Sequence, residues 1–412
     1  MERQLRKNLL FNTAGSLVFY VCQAAMNLLV TALAGVQANG LLATAMTIAN
    51  VGLSLASYGM RTFQVSDLEG KYADRTYLLS RYLTVSAAWA GCMAFAFFNS
   101  YSAAQRWVIF LYTGYRLVES FSDVWHAWLQ KDERMDIVGV SFGARGLLTA
   151  GVVVAGLWLT RDLVATLAVL LALNAAYVLA VDVPLARRRA DLARPAAPGR
   201  GVLALLWECL PLAVYASLNT SIASAPRYFC ERLLGPVQLN YFANVFLPVM
   251  LLQVAAVYLF VPFITTFSRL LATRGRAGYF RGLRVLFLCL GALWAAGAAG
   301  AALLGRWGLS LLYPSTPEIL QYAGLLQPLA ACSVLTVLAT VLCNLLTIAR
   351  GMRGLILGNL AGLAAALAFS APFIRRFGIW GTAWATLAAI AIQAACLLAF
   401  LLTKCKKHFA GA

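Results

Sequence analysis

The decisive stretch is residues 137–184, IVGVSFGARGLLTAGVVVAGLWL, then Thr160-Arg161-Asp162, then LVATLAVLLALNAAYVLAVDVP. Two apolar runs, each as long as the roughly 20 residues needed to cross a bilayer, are separated by one short polar break. This reads as two membrane helices, 137–159 and 163–184, joined by a tight loop. The rest of the chain repeats the pattern. Of 412 residues 62% are hydrophobic and only 12% charged, whereas a soluble domain carries about 25% charged residues. Breaks at Gly, Pro and charged residues give ten further helices: 9–34, 38–60, 78–99, 104–129, 202–226, 238–268, 282–304, 318–347, 354–374 and 378–402. The first has a basic start, but its apolar part exceeds the roughly 7–15 residues of a signal h-region, so it reads as a retained helix. The fold class is an all-α polytopic membrane protein.

Orientation follows from Lys and Arg, which accumulate in short cytoplasmic loops. With the N-terminus inside, 24 of them fall in inner segments, including Arg61, Lys71, Arg75 and Arg81 after the second helix. Seven fall outside, and Arg116 and Arg145 lie within helices. Both termini are therefore expected in the cytoplasm. The net charge of +18 forms an inner-face skirt facing anionic lipid. Because it is spread over seven segments, it argues against a nucleic-acid-binding module. Two histidines and nine scattered cysteines offer neither a disulfide framework nor a metal-ligand spacing.

The Arg- and Pro-rich segment 191–201 divides the chain into an N-terminal lobe, 1–190, and a C-terminal lobe, 202–412, of six helices each. Val36-Gln37-Ala38-Asn39 is echoed by Val237-Gln238-Leu239-Asn240, and Gly139-xxx-Gly143 by Gly354-xxx-Gly358-xxx-Gly362. Such echoes fit a duplicated, parallel six-helix unit. Small residues at these spacings also let helices approach closely in their own right.

Polar residues inside the spans mark an interior or a wet cavity. Tyr112, Arg116, Glu119, Asp123, His126 and Gln130 recur every three or four residues, one stripe on the fourth helix. Arg116 and Glu119 can pair one turn apart, and Arg145 on the next helix is the expected partner of Asp123. The stripe is either a charged cavity wall, with Glu119, Asp123 and His126 coupling to an ion, or a closed structural network. Neutral stripes accompany it: Asn12, Ser16, Tyr20, Gln23 and Asn27 on the first helix, Thr47, Asn50, Ser54 and Tyr58 on the second. The seventh carries Ser217, Ser221, Ser224 and Tyr228, and the tenth Ser333, Thr340, Asn344 and Thr347. Hydroxyls in such helices also bond simply to their own backbone. Together the stripes point to a central hydrophilic cavity that is basic or neutral. Arg61, Arg116, Arg145 and Arg227 are its candidate cations, suited to phosphate through the planar two-donor fork of arginine.

Several motifs carry a resemblance. They are Tyr58-Gly59-Met60-Arg61 through Gln64 and Asp67, Gln130-Lys131 through Arg134-Met135-Asp136 with Arg145-Gly146, and Pro226-Arg227-Tyr228 through Glu231 and Gly235. Asn240-Tyr241-Phe242 and Phe377-Gly378-Ile379-Trp380-Gly381 complete the set. The chain resembles the polysaccharide flippases, in the superfamily that also contains multidrug antiporters and lipid II flippases. The resemblance implies a two-lobed, V-shaped, twelve-helix transporter of the bacterial inner membrane. It would move undecaprenyl-diphosphate-linked oligosaccharide between leaflets by alternating access, without a cofactor. H+, Na+ or the membrane potential would drive it, and a polysaccharide polymerase or glycosyltransferases of the same pathway would be its partners. The substrate site would then comprise Arg61, Arg116, Arg145, Arg227, Asn12, Gln23, Asn27 and Asn50. Two alternatives stand beside this reading. A drug or organic-cation antiporter of the same fold would need cavity acids, and Glu2 is the only acid before Asp67. A membrane-embedded glycosyl or phosphoglycosyl transferase would need an acidic metal site or a large loop.

Overall fold

A computed structural model describes residues 2–67, 70–193, 199–250, 253, 276–349 and 351–410. Among these residues there are helices and turns and no strand. Glu2–Ser57 is one helical run broken at Gly35, which has φ 88° and ψ 171°, a conformation essentially reserved for glycine. We number its parts α1 (2–34) and α2 (36–57). A short α3, Met60–Ser66, is followed by α4, Asp74–Phe98, α5, Ala103–Lys131, and α6, Met135–Thr160. The span Leu163–Arg187, α7, contains a π-helical turn at Val178–Asp182. Then come α8, Val202–Leu234, α9 over 236–250, α10, Arg276–Leu312, and a 3-10 turn, Pro317–Leu325. Helices α11, Leu326–Ile348, α12, Met352–Phe377, and α13, Ile379–Ala410, complete the chain. The expected helix 238–268 lies mostly outside the described residues.

Eight described stretches are long and apolar enough to cross a membrane, the first of them containing the Gly35 break. The protein is a multi-pass membrane protein. Helices α4 and α5 fall short of that apolar threshold because they carry the interior charges. At 1.5 Å per residue the 29 residues of α5 still reach about 43 Å, more than the roughly 30 Å hydrocarbon layer. The charges inside 104–129 therefore do not break the helix.

The chain forms two compact units, Met1–Thr220 and Ser221–Ala412. This division runs through α8, whereas the sequence expectation puts the linker at 191–201. In the first unit α1 crosses α6 on glycine. A Cβ added to Gly15 would overlap the carbonyl of Gly139, one on Gly139 would overlap that of Phe11, and one on Gly146 would come within 2.8 Å of Phe19 Cα. Backbone contact of this kind is what small-residue motifs permit. In the second unit Gly354-xxx-Gly358-xxx-Gly362 does the same for α12 against α13. Added Cβ atoms would lie 2.7 Å from Phe400 Cβ, 2.6 Å from Leu397 Cδ2 and 2.8 Å from Gln393 Cβ. The two glycine motifs thus share a job but not a partner, since one receives its unit's first helix and the other its last. The Gln-x-Asn echo has a closer counterpart. Gly235, also at φ 88°, separates α8 from α9 as Gly35 separates α1 from α2, and both Asn39 and Asn240 are fully buried just beyond.

The turn after α3 is closed by Asp67. Its carboxylate accepts the backbone N–H of Lys71 at 2.7 Å and of Tyr72 at 3.1 Å, and the Tyr77 hydroxyl at 2.8 Å. Partial burial raises the pKa of the acid, but these donors and the nearby Lys131 charge outweigh it and hold Asp67 below the ordinary carboxylate range.

Two outcomes are expected. Gly139→Leu forces α1 and α6 apart and should lower the melting temperature of the detergent-extracted protein, by about 1–3 kcal/mol of overpacking. Gly151→Leu on the same helix, where nothing lies within 4 Å of an added Cβ, should not. Because Asp67 is more acidic when folded, the stability it supplies is full above the unfolded carboxyl pKa. It is lost as pH falls through the lowered folded value. Asp67→Asn should therefore melt earlier than the parent at neutral pH, and the gap should close in acid.

Candidate functional site

The site is built around α5. Helix α2 ends at Ser57, and Tyr58 and Gly59 both take positive φ, 52° and 62°. At Gly59 an added Cβ would also meet Leu212 Cβ at 2.7 Å. This sharp reversal starts α3 and carries Arg61 over α5. There its Nη1 donates to Asp123 Oδ1 at 2.7 Å and its Nε to Gln130 Oε1 at 3.1 Å. The reversal also leaves the last carbonyls of α2 without helical partners. That of Ala56 is taken by Arg81 Nη1 at 2.7 Å and Thr84 Oγ1 at 2.9 Å. Arg81 also donates to Ser120 Oγ at 3.1 Å, and its Nη2 lies 3.7 Å from Asp123 Oδ2. Asp123 is thus held from two sides by two arginines, one of them with no exposed surface.

Arg116 and Glu119 pair one turn apart, as their spacing predicts. The side chains of Arg116, 14% exposed, and Arg61, 25% exposed, keep some accessible surface. The expected partnership of Arg145 with Asp123 is not what the structure shows. Arg145 is wholly buried and donates to Ser122 Oγ at 2.8 Å and Asn174 Oδ1 at 3.5 Å. Successive helical residues point about 100° apart. Ser122 and His126 consequently face α6 and α7, while Asp123 faces α3 and α4. The single stripe seen in the sequence is split between two polar seams.

The second seam continues along α6 and α7. The π turn of α7 presents Asp182 to His126, with Oδ2 3.3 Å from Nε2, and Ser141 Oγ donates to Asp182 Oδ1 at 2.7 Å. His126 and Asp182 are both buried. At the end of the seam Asp136 meets Lys7 at 3.1 Å and Arg134 at 3.0 Å. Toward the other end, Gln23 donates to the Tyr115 hydroxyl, which lies 3.1 Å from Thr149 Oγ1.

The remaining expected residues are less convergent. Asn27 reaches Met46 Sδ at 3.4 Å, Asn50 is half-buried on α2, and Asn12 sits where α1 crosses Gly139. In the second unit the guanidinium of Arg227 stacks 4.8 Å from the centre of the Phe246 ring. Among the described residues it has no ion-pair partner. The threonines of α11 are spent locally, Thr340 on the Thr336 carbonyl and Thr347 on that of Cys343. That removes two of the four polar residues expected to line this helix.

Sequence reasoning missed three members. Arg81 counts among the inner-segment charges by sequence, at the start of the expected helix 78–99, but is fully buried within α4. Its signal was the polar series Tyr77, Arg81 and Thr84 at helical spacing. Asp182 and Asn174 stand eight residues apart in an otherwise apolar span, and an acid in such a place deserves a functional reading by default.

No protein-family model and no curated protein sequence matches the chain, but solved structures do. An inward-facing multidrug resistance MATE transporter of the MOP superfamily superposes with TM-score 0.67 at 13% identity, over 98% of each chain. A mutant of the Vibrio cholerae MATE transporter VcmN gives 0.66 at 13% identity, over 98% of this chain and 97% of that one. A MOP superfamily transporter from Pyrococcus furiosus, described as having a binding pocket of reversed polarity that suggests a different function, gives 0.61 at 15% identity, over 98% and 95%. At such identities the likeness is one of fold. The chain has the fold of the MATE transporters, whose structures have twelve membrane helices in two lobes.

Proposed function

We propose that the chain is a transporter that carries an amphipathic substrate across the membrane by alternating access, and that this substrate is an anion. The fold supports transport. The observation that carries the anion reading is the state of the acids. Every acid on α5, α6 and α7 is already engaged by a base: Glu119 by Arg116, Asp123 by Arg61 and Arg81, Asp136 by Lys7 and Arg134, and Asp182 by His126. Arg145 and Arg227, by contrast, have no carboxylate in contact among the described residues. A cationic substrate would have to displace an arginine to reach an acid, whereas the partly exposed Arg227 offers an anion a guanidinium fork that holds no carboxylate among the described residues.

Within that class a polyprenyl-diphosphate-linked oligosaccharide fits well. Its diphosphate would be drawn to Arg61 and Arg116 while its tail stays in lipid, in a bacterial inner membrane with both chain termini cytoplasmic. The driving force would be H+, Na+ or the membrane potential. A polysaccharide polymerase or glycosyltransferases would work on the same substrate. A second reading, multidrug export, is favoured by the structural neighbours, which include a multidrug resistance MATE transporter. The Pyrococcus protein shows that pocket polarity is not fixed across this fold. The transferase alternative gains nothing from a fold shared with transporters.

Purified protein in proteoliposomes should move a fluorescent polyprenyl-diphosphate sugar between leaflets and leave an organic-cation dye alone. Arg116→Lys should keep part of that activity and Arg116→Ala should lose it at unchanged membrane level. Dye transport without lipid flipping would establish the multidrug reading instead. If Arg116→Ala destabilises the protein and adding Glu119→Ala restores both stability and flipping, Arg116 is scaffold and not a substrate contact.

A further inference from the structure

At one end of the second unit a cavity of about 650 Å³ opens between α11, α12 and α13. Its construction is specific. Gly351 ends the chain reversal between α11 and α12, its N–H bonded to the Leu346 carbonyl at 2.8 Å. A Cβ there would come 2.9 Å from Leu346 Cδ2, and one on Gly354 would come 2.7 Å from Phe400 Cβ. Two glycines thus set α12 tight against its neighbours and shape the cavity floor. The walls are of two kinds, apolar at Leu346 and Phe400 and cationic at Arg353 and Lys404.

The charge is uncompensated for a reason written in the sequence. No Asp or Glu occurs after Glu318, so α11, α12 and α13 contain no counterion for either cation. Among the described residues neither Arg353 nor Lys404 forms an ion pair, and both are exposed. Arg350, Lys406 and Lys407 adjoin these two cations in the sequence, and by the positive-inside rule so basic a stretch is cytoplasmic.

From this we infer that the cavity is a binding site for an anionic phospholipid of the inner leaflet. The headgroup phosphate would lie between Arg353 and Lys404, with the backbone N–H groups of the first turn of α12 as further donors, and an acyl chain would run along Leu346 and Phe400. Basic pockets between membrane helices on the cytoplasmic side hold anionic headgroups in this way. Both kinds of wall are needed, since two cations alone would take free phosphate and an apolar cleft alone would take any lipid. The inference does not depend on what the protein transports.

The test is native mass spectrometry of the full-length protein titrated with phosphatidylglycerol or phosphatidylcholine. The parent should bind phosphatidylglycerol more tightly than phosphatidylcholine. The double variant Arg353→Ala with Lys404→Ala should lose roughly 30-fold in phosphatidylglycerol affinity, as expected for two interfacial cations, and keep its phosphatidylcholine affinity and melting temperature. Arg353→Lys should retain most of the preference. Lys404→Glu, at an exposed position, supplies a second variant with the same expected loss. Equal phosphatidylglycerol affinity in parent and variants would overturn the assignment. So would displacement of the lipid by inorganic phosphate at comparable concentration, which would show a simple anion subsite.

Discussion

Arg81 has no exposed surface and sits in a helix of a membrane protein, so its charge has to be met from within. An ionised group in such surroundings is costly unless it is paired and hydrogen-bonded. Asp123, Ser120 and the carbonyl of Ala56 meet that demand. Each of these partners has a structural consequence. The Ala56 carbonyl is available only because α2 stops at Ser57, and α2 stops because Tyr58 and Gly59 turn left-handed. The same reversal brings Arg61 to the other carboxylate oxygen of Asp123. One buried guanidinium therefore ties the end of α2, the start of α3, α4 and α5 into a single arrangement.

That arrangement decides what the interior of the first unit can do. An acid held between two arginines is a counterion, and so is Glu119 beside Arg116. The exposed remainder of this network belongs to arginine side chains as much as to carboxylates. The His126 and Asp182 pair occupies a separate seam, placed by the one π-helical turn among the described residues, and it is buried. It holds α5, α6 and α7 together beside Arg145.

Much of this was legible in the sequence, and for physical reasons. The apolar runs around Thr160-Arg161-Asp162 became α6 and α7, because hydrocarbon leaves little choice to a segment of that length and composition. The Gly139 motif announced a close helix crossing, and Arg116 found Glu119 because a three-residue spacing fixes neighbours locally. Pairing between helices was harder to read. Arg145 and Asp123 match in depth, but depth does not fix azimuth, and one residue of rotation gave Arg145 to Ser122 and Asn174. Arg81 looked like an inner-segment charge because positive-inside counting cannot distinguish a cation at the interface from one tucked beneath it. The hydroxyl stripe of α11 shows the converse error, since periodicity records where a side chain lies and not whether its hydrogen bond is already spent on its own helix.

Asp123 is the shared counterion of Arg81 and Arg61. A double-mutant cycle on stability tests this most directly, with Arg81→Met, Asp123→Leu and the pair measured by thermal unfolding in the same detergent. Asp123→Leu leaves the wholly buried Arg81 without its carboxylate and should cost on the order of 3–5 kcal/mol, whereas Arg81→Met leaves Asp123 with Arg61 and should destabilise less. The double variant should recover a clear part of that loss. Strictly additive losses, or a single Arg81→Met variant as stable as the parent, would contradict the account.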